Sequence, residues 1–247
     1  MTIPFEPIVF GIHVNIHLIT EYLAFFIAFR YYVYLRKEEE DEIATSNRLS
    51  LILGAIIGAL TGSRLMGYFE NPTIEINVHT LLMLYNTKTI MGGLFGGLIG
   101  VEISKKIIGE KRSSGDLFTL PILVGLFIGR IGCFLSGIKE YTYGSETSFF
   151  LGMNLGDDVL RHPTSLYELA FVAFLFVFLR NLKQQQKLES GMLFQFFMIS
   201  YFGFRFLIEF IKPNQYFILG LSSIQWLCIL CWIYYAKTIK NILTHAH

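Results

Sequence analysis

Apolar runs of about twenty residues, the length needed to cross ~30 Å of hydrocarbon at 1.5 Å per residue, limit this fold more tightly than any other feature. Seven windows qualify, approximately 16–35, 49–69, 88–104, 117–137, 164–180, 191–211 and 219–236. The third is the weakest, being short and glycine-rich. A soluble domain of this length would carry about 25% charged residues. Here 16% are charged and 53% hydrophobic over 247 residues, and the mean hydropathy is +0.51. The expected fold is all-α and polytopic, with about seven transmembrane helices in a single integral-membrane domain, 1–247.

Lysine and arginine orient such a bundle, because cytoplasmic loops retain them. One set of loops holds Arg36, Lys37, Arg48, Lys105, Lys106, Lys111, Arg112, Arg180, Lys183, Lys187, Lys237 and Lys240. The other holds only Lys88, Lys139, Arg161 and Lys212. This places the N-terminus outside and the C-terminus in the cytoplasm. The acidic run Glu38 to Glu42 reads as a solvated cytoplasmic loop. The first residues show neither a basic n-region nor a small-residue cleavage site, so no removable signal peptide is expected.

Proline and glycine mark helix ends and helix contacts rather than a domain boundary. Pro72, Pro163 and Pro213 sit beside the expected membrane edges, and Pro121 is expected in the first turn of the fourth helix. Gly54, Gly58 and Gly62 recur every four residues, as do Gly92, Gly96 and Gly100. That spacing strips side chains from one helix face and lets backbones approach closely. The Gly-Lys-Ser/Thr sequence of a phosphate-binding loop is not present. Cys133, Cys228 and Cys231 form no disulfide framework, and Cys228 and Cys231 read as core side chains. No metal or cofactor and no nucleic-acid partner is expected.

The remaining signal is charge inside the apolar windows, where it costs several kcal/mol unless it meets a partner or a wet cavity. With the orientation above, Glu21, Arg64, Arg130, Arg205 and Glu209 fall toward the outer ends of their helices. His162, Tyr167 and Glu168 enter helix 5 from the same side. Of the intramembrane charges, only Arg30 and Glu102 fall toward the cytoplasmic ends. Arg130 reads either as a helix-packing ion pair or snorkelling residue, or as an anion site. Arg205 and Glu209, four apart, share a helix face. If Glu209 neutralises Arg205, Arg130 is left as an unpaired cation available to a phosphate, which its rigid fork suits. A site at that depth meets phospholipid headgroups, so the residues point to lipid handling at the outer membrane face.

Several motifs resemble those of bacterial prolipoprotein diacylglyceryl transferases. They are Gly129-Arg130-Ile131-Gly132, the glycine-rich loop after it, and Arg161-His162-Pro163-x-x-Leu166-Tyr167-Glu168. Tyr201-x-x-x-Arg205-x-x-x-Glu209-Phe210, Gly62-x-Arg64 with Tyr68, His17, and Ser222-x-x-Gln225 add to the likeness, in matching order over nearly the whole chain. The chain departs from the pattern where Cys133 replaces an asparagine, where Met91 or Phe95 stands before Gly-Gly in place of a histidine, and where Leu18-Ile19 replaces Trp-Tyr. Glu140 fills the place of the family's glutamate only if the loop carries a small insertion before Gly144.

The resemblance implies transfer of a diacylglyceryl group from phosphatidylglycerol to the lipobox cysteine of a preprolipoprotein. The transfer occurs at the outer face of the bacterial cytoplasmic (inner) membrane. A glycerol carbon is attacked and glycerol 1-phosphate leaves, with no covalent enzyme intermediate. Arg130, Arg205 and Glu140 are the implied catalytic residues. Arg64, His17, Gly144, His162, Tyr167, Glu168, Tyr201 and Glu209 are the implied substrate contacts. Glu140, His17 and His162 all stand as possible bases for the acceptor thiol. His162 also reads as an anchor for helix 5, and Tyr167 and Tyr201 as interface aromatics. Cys133 has no evident partner base and reads as a small core side chain. The rival functions are a related lipid-dependent transferase with a different acceptor, and a non-enzymatic binder or transporter of anionic lipid.

Overall fold

The computed structural model describes residues 3–9, 11–39, 41–70, 87–185, 188–214 and 218–245; Glu40, Pro72 and Lys187 lie outside the described residues. Eight helices are described: α1 Ile16–Glu38, α2 Thr45–Glu70, α3 Ile90–Ile108, α4 Asp116–Ser136, α5 Thr164–Gln185, α6 Met192–Ile208, α7 Ser223–Tyr234 and α8 Ala236–His245. Two antiparallel hairpins of two-residue strands accompany them, β1 Ile8–Val9 with β2 Ile12–His13 and β3 Met153–Asn154 with β4 Leu160–Arg161. The helices fold because a hydrocarbon environment leaves backbone groups no partner but their own segment.

Five of the described helices are long and apolar enough to cross a membrane: α1, α2, α4, α5 and α6, with α4 and α6 each extended by a 3-10 turn. The protein is thus a mostly helical, polytopic membrane protein. The two other expected windows differ from expectation. α3 carries Glu102, Lys105 and Lys106 in its second half. The window 219–236 is divided, because Leu219 and Gly220 take left-handed backbone (φ 58° and 68°) and α7 starts only at Ser223. Its 12 residues rise about 18 Å. Along α1 and α2, Tyr22, Phe25, Phe29, Leu49, Leu53, Ile57 and Leu60 are more than half exposed, as lipid-facing residues would be.

The described residues form two compact units. The first comprises Met1–Glu40, Ser114–Phe197 and Phe210–Pro213. In it α4 packs antiparallel between α1 and α5. Asn15 starts α1 by accepting the Leu18 amide at 3.0 Å, satisfying one of the four N–H groups that a helix start leaves open. At one end of the α1–α4 contact, Tyr32 stacks on Phe118 with ring centroids 4.6 Å apart. At the other, Gly132 admits Thr20 so closely that a Cβ would stand 1.8 Å from the hydroxyl. The Asp116 carboxylate accepts the amides of Gly191 (2.6 Å) and Phe194 (3.0 Å), capping the start of α6. Pro121 lies in the second turn of α4, not the first, because the helix already begins at Asp116.

The second unit comprises Asp41–Ser113, Met198–Glu209 and Asn214–His247. Its centre is the α2–α3 contact, and glycine makes it possible. A Cβ on Gly58 would lie 2.2 Å from the Gly96 carbonyl oxygen, one on Gly62 2.3 Å from that of Gly92, and one on Gly100 2.1 Å from that of Gly54. These glycines therefore pack helix on helix, as their spacing suggests. At one end of that pair Arg48 is buried against Asp41 (Nε to Oδ2, 2.8 Å). There Glu110 also accepts from Arg112 Nε (2.9 Å) and Asn47 Nδ2 (3.1 Å).

Candidate active site

In the first unit, the end of α4, the start of α1, the start of α5 and the loop 137–163 gather five side chains. Arg130 and Glu168 form its buried floor, with Nε 2.9 Å from Oε1 and side chains only 6% and 2% exposed. Arg130 Nη1 also donates toward Cys133 Sγ at 3.6 Å. His17 flanks that thiol from α1, and its Nε2 stands 3.8 Å from Glu140 Oε1. The spacing explains the convergence. Arg130 and Cys133 are three apart on α4 and share a face, and Gly132 beside them lets α1 bring His17 close.

Two sequence readings change here. Arg130 is not an unpaired cation: α5 places Glu168 against it, a neighbour on another helix that no sequence spacing shows. Cys133 does not lack a neighbouring base, because α1 delivers His17 to it. Both neighbours arise from the packing of α1 and α5 on α4.

The loop is held by backbone pairing. The Gly144 amide donates to the His162 carbonyl (2.9 Å), the His162 amide to that of Ser145 (3.1 Å), and the Ser145 amide to that of Ile211 (2.8 Å). A Cβ on Gly144 would lie 2.5 Å from His162 Cβ, so only glycine fits. Arg161 is occupied by Asp157 (2.7 Å) and the face of Tyr143 (5.1 Å to the centroid). His162 Nδ1 lies 3.2 Å from the Tyr167 hydroxyl, and its carbonyl accepts the Thr164 amide at 2.9 Å. These contacts match the reading of His162 as an anchor for α5.

In the second unit, Arg205 Nη2 donates to Glu209 Oε1 at 2.7 Å, and Glu209 is fully buried. The other Glu209 oxygen accepts from Asn214 Nδ2 and from Ser222 Oγ (3.4 Å). Ser222 and Gln225 form the capping box that starts α7, and Gln225 Nε2 donates to the Phe206 carbonyl (3.2 Å). Tyr201 is fully buried. Arg64 Nη1 donates to the Thr87 carbonyl at 2.8 Å. Asn214 had no signal in the sequence beyond its place after Pro213. Cys228 and Cys231 are fully buried. Among the described residues, no three His, Cys, Asp or Glu side chains are grouped to hold a metal ion.

Apolar helices that bury two arginine–glutamate pairs define an integral-membrane protein that keeps guanidinium groups inside apolar helices. A family model described as prolipoprotein diacylglyceryl transferase matches residues 7–239. The chain belongs to that family. It is 33% identical over 234 residues to a protein of Wolbachia sp. subsp. Brugia malayi (strain TRS), covering 85% of this chain and 83% of the relative. It is 30% identical over 199 residues to one from Nitratidesulfovibrio vulgaris (strain DP4), covering 77% and 70%. A protein of Rickettsia bellii (strain OSU 85-389) is 33% identical over 192 residues, covering 68% and 66%. Each of the three relatives is named phosphatidylglycerol–prolipoprotein diacylglyceryl transferase.

Proposed function

We propose that this protein transfers the diacylglyceryl group of phosphatidylglycerol to the lipobox cysteine thiol of preprolipoproteins. The work is done at the outer face of the bacterial cytoplasmic membrane, by a single integral-membrane domain with seven spans and the N-terminus outside. Family membership over residues 7–239 supports this reading. The structural observation that carries it is the burial of Arg130 on Glu168. A buried ion pair adds little net stability, since apolar residues of similar volume often do as well or better by 1–4 kcal/mol. Hydrocarbon raises the cost further. Retaining such a pair in an apolar helix therefore calls for a role beyond folding.

Arg130 and Arg205 are the phosphate clamps of this proposal. Each guanidinium is oriented by one carboxylate, Glu168 or Glu209. Negative charge grows on the phosphate as the glycerol C–O bond breaks, and pre-oriented cations in a dry site stabilise that charge at no reorganisation cost. Arg64, Tyr167 and Tyr201 complete the lipid contacts, and Gly144 and His162 shape the loop 137–163.

The test is purified protein in phosphatidylglycerol nanodiscs with a lipobox peptide, followed by mass spectrometry. A mass gain of one diacylglyceryl group on the cysteine supports the reading. Lipid binding without any product would point to the binder. Product on another acceptor alone would point to the related transferase.

A further inference from the structure

The acceptor's thiol must lose a proton before its sulfur can attack, and the helix-3 position that would supply a histidine holds Met91 or Phe95 instead. Glu140 alone is a poor replacement. As a class, carboxylates are far weaker bases than thiolates, whereas imidazoles lie much closer to them. His162 has its Nδ1 against the Tyr167 hydroxyl and its backbone tied to Gly144 and Ser145. Both of its tasks are structural.

His17 differs on each point. Its Nε2 stands 3.8 Å from Glu140 Oε1, too far for a hydrogen bond but close enough for the carboxylate to stabilise an imidazolium. Its Nδ1 is buried, with the Cys133 thiol beside the ring, so Nε2 is the nitrogen that a substrate can meet. The side chains of His17 and Glu140 are 21% and 35% exposed, so a substrate group can reach them. A reachable imidazole nitrogen beside a carboxylate suits a general base, because the carboxylate stabilises the imidazolium that forms.

Resting on the transferase reading above, we infer that His17, beside Glu140, is the base that takes the proton of the acceptor's cysteine thiol. The S–H proton passes to Nε2, and the sulfur electron pair forms the C–S bond to the glycerol carbon. The C–O bond breaks with its electrons on the phosphate oxygen. The imidazolium then returns the proton to glycerol 1-phosphate, which leaves as the monoanion. The charged and titratable groups around the ring are Glu21 on α1, Arg130 and Cys133 on α4, Glu140 in the loop and Glu168 on α5.

The experiment compares the full-length wild type with His17→Gln in phosphatidylglycerol nanodiscs, on a cysteine lipobox peptide and on the same peptide carrying selenocysteine. A selenol is far more acidic and needs no base at neutral pH. His17→Gln should lose about a hundredfold or more in kcat/KM on the cysteine peptide and recover most of it on the selenocysteine peptide. Equal losses on both peptides, or no loss, would overturn the inference. Should His17→Gln fail to fold, the wild type alone decides. Its rate should fall at acid pH on the cysteine peptide and stay flat on the selenocysteine peptide, whereas the same fall on both would overturn it. A wild type that modifies neither peptide contradicts the transferase reading itself.

Discussion

Arg130 on α4 and Glu168 on α5 stand 2.9 Å apart with almost no exposure of either side chain. The pair holds one end of the α4–α5 contact and fixes the plane of the guanidinium. Arg130→Lys keeps the charge but loses the fork. It should lower kcat on a lipobox peptide by about a hundredfold, or ~3 kcal/mol of transition-state stabilisation. Lipid affinity, measured in the same nanodiscs, should change much less. An equal loss in both would move Arg130 from turnover to ground-state binding.

Removing the other partner should act on folding. Glu168→Ala leaves Arg130 buried without its carboxylate, a change that costs about 3–5 kcal/mol for a buried pair. Thermal unfolding in detergent should show a large drop in Tm. A variant as stable as the wild type would show that Arg130 finds other compensation.

Gly58 has no room for a side chain, since its Cβ would meet the Gly96 carbonyl oxygen at 2.2 Å and backbone cannot swing aside. Gly58→Leu should cut the yield of monodisperse protein sharply. Normal yield with selectively lost transfer would instead put this face of α2 in the site.

Glu110 titrates outside the membrane-spanning helices. Hydrogen bonds from Arg112 and then Asn47 hold its carboxyl down at about 2, below the ordinary ~4.3. A depressed carboxyl stabilises the fold fully above its unfolded pKa and loses that contribution as pH falls through the folded value. The stability difference between wild type and Glu110→Gln should therefore be constant above about pH 5 and shrink toward pH 2. A difference that does not change across this range would mean that the Glu110 bracket is not formed in solution.

Much of the fold was legible because hydrocarbon permits few alternatives. α1, α2, α4, α5 and α6 stand close to their apolar windows, and the four-residue glycine spacing marks the α2–α3 contact. The start of the last window was not legible, because apolar composition is silent on backbone sign: Leu219 and Gly220 turn left-handed before α7 begins. The Arg205–Glu209 pair was visible as an i, i+4 relation within one helix. Glu168 opposite Arg130, and His17 beside Cys133, were not. Each joins helices whose mutual rotation is set by small residues such as Gly132 rather than by any local pattern.

If Arg130 serves diacylglyceryl transfer and not merely the packing of α4, its loss must abolish product while the fold survives. The most direct measurement follows thioether formation from phosphatidylglycerol on a lipobox peptide, by mass spectrometry, with wild type and Arg130→Ala brought to equal folded concentration. The expected result is a diacylglyceryl-modified peptide from the wild type and almost none from Arg130→Ala. Product at the wild-type rate from folded Arg130→Ala would show that Arg130 has no part in the transfer.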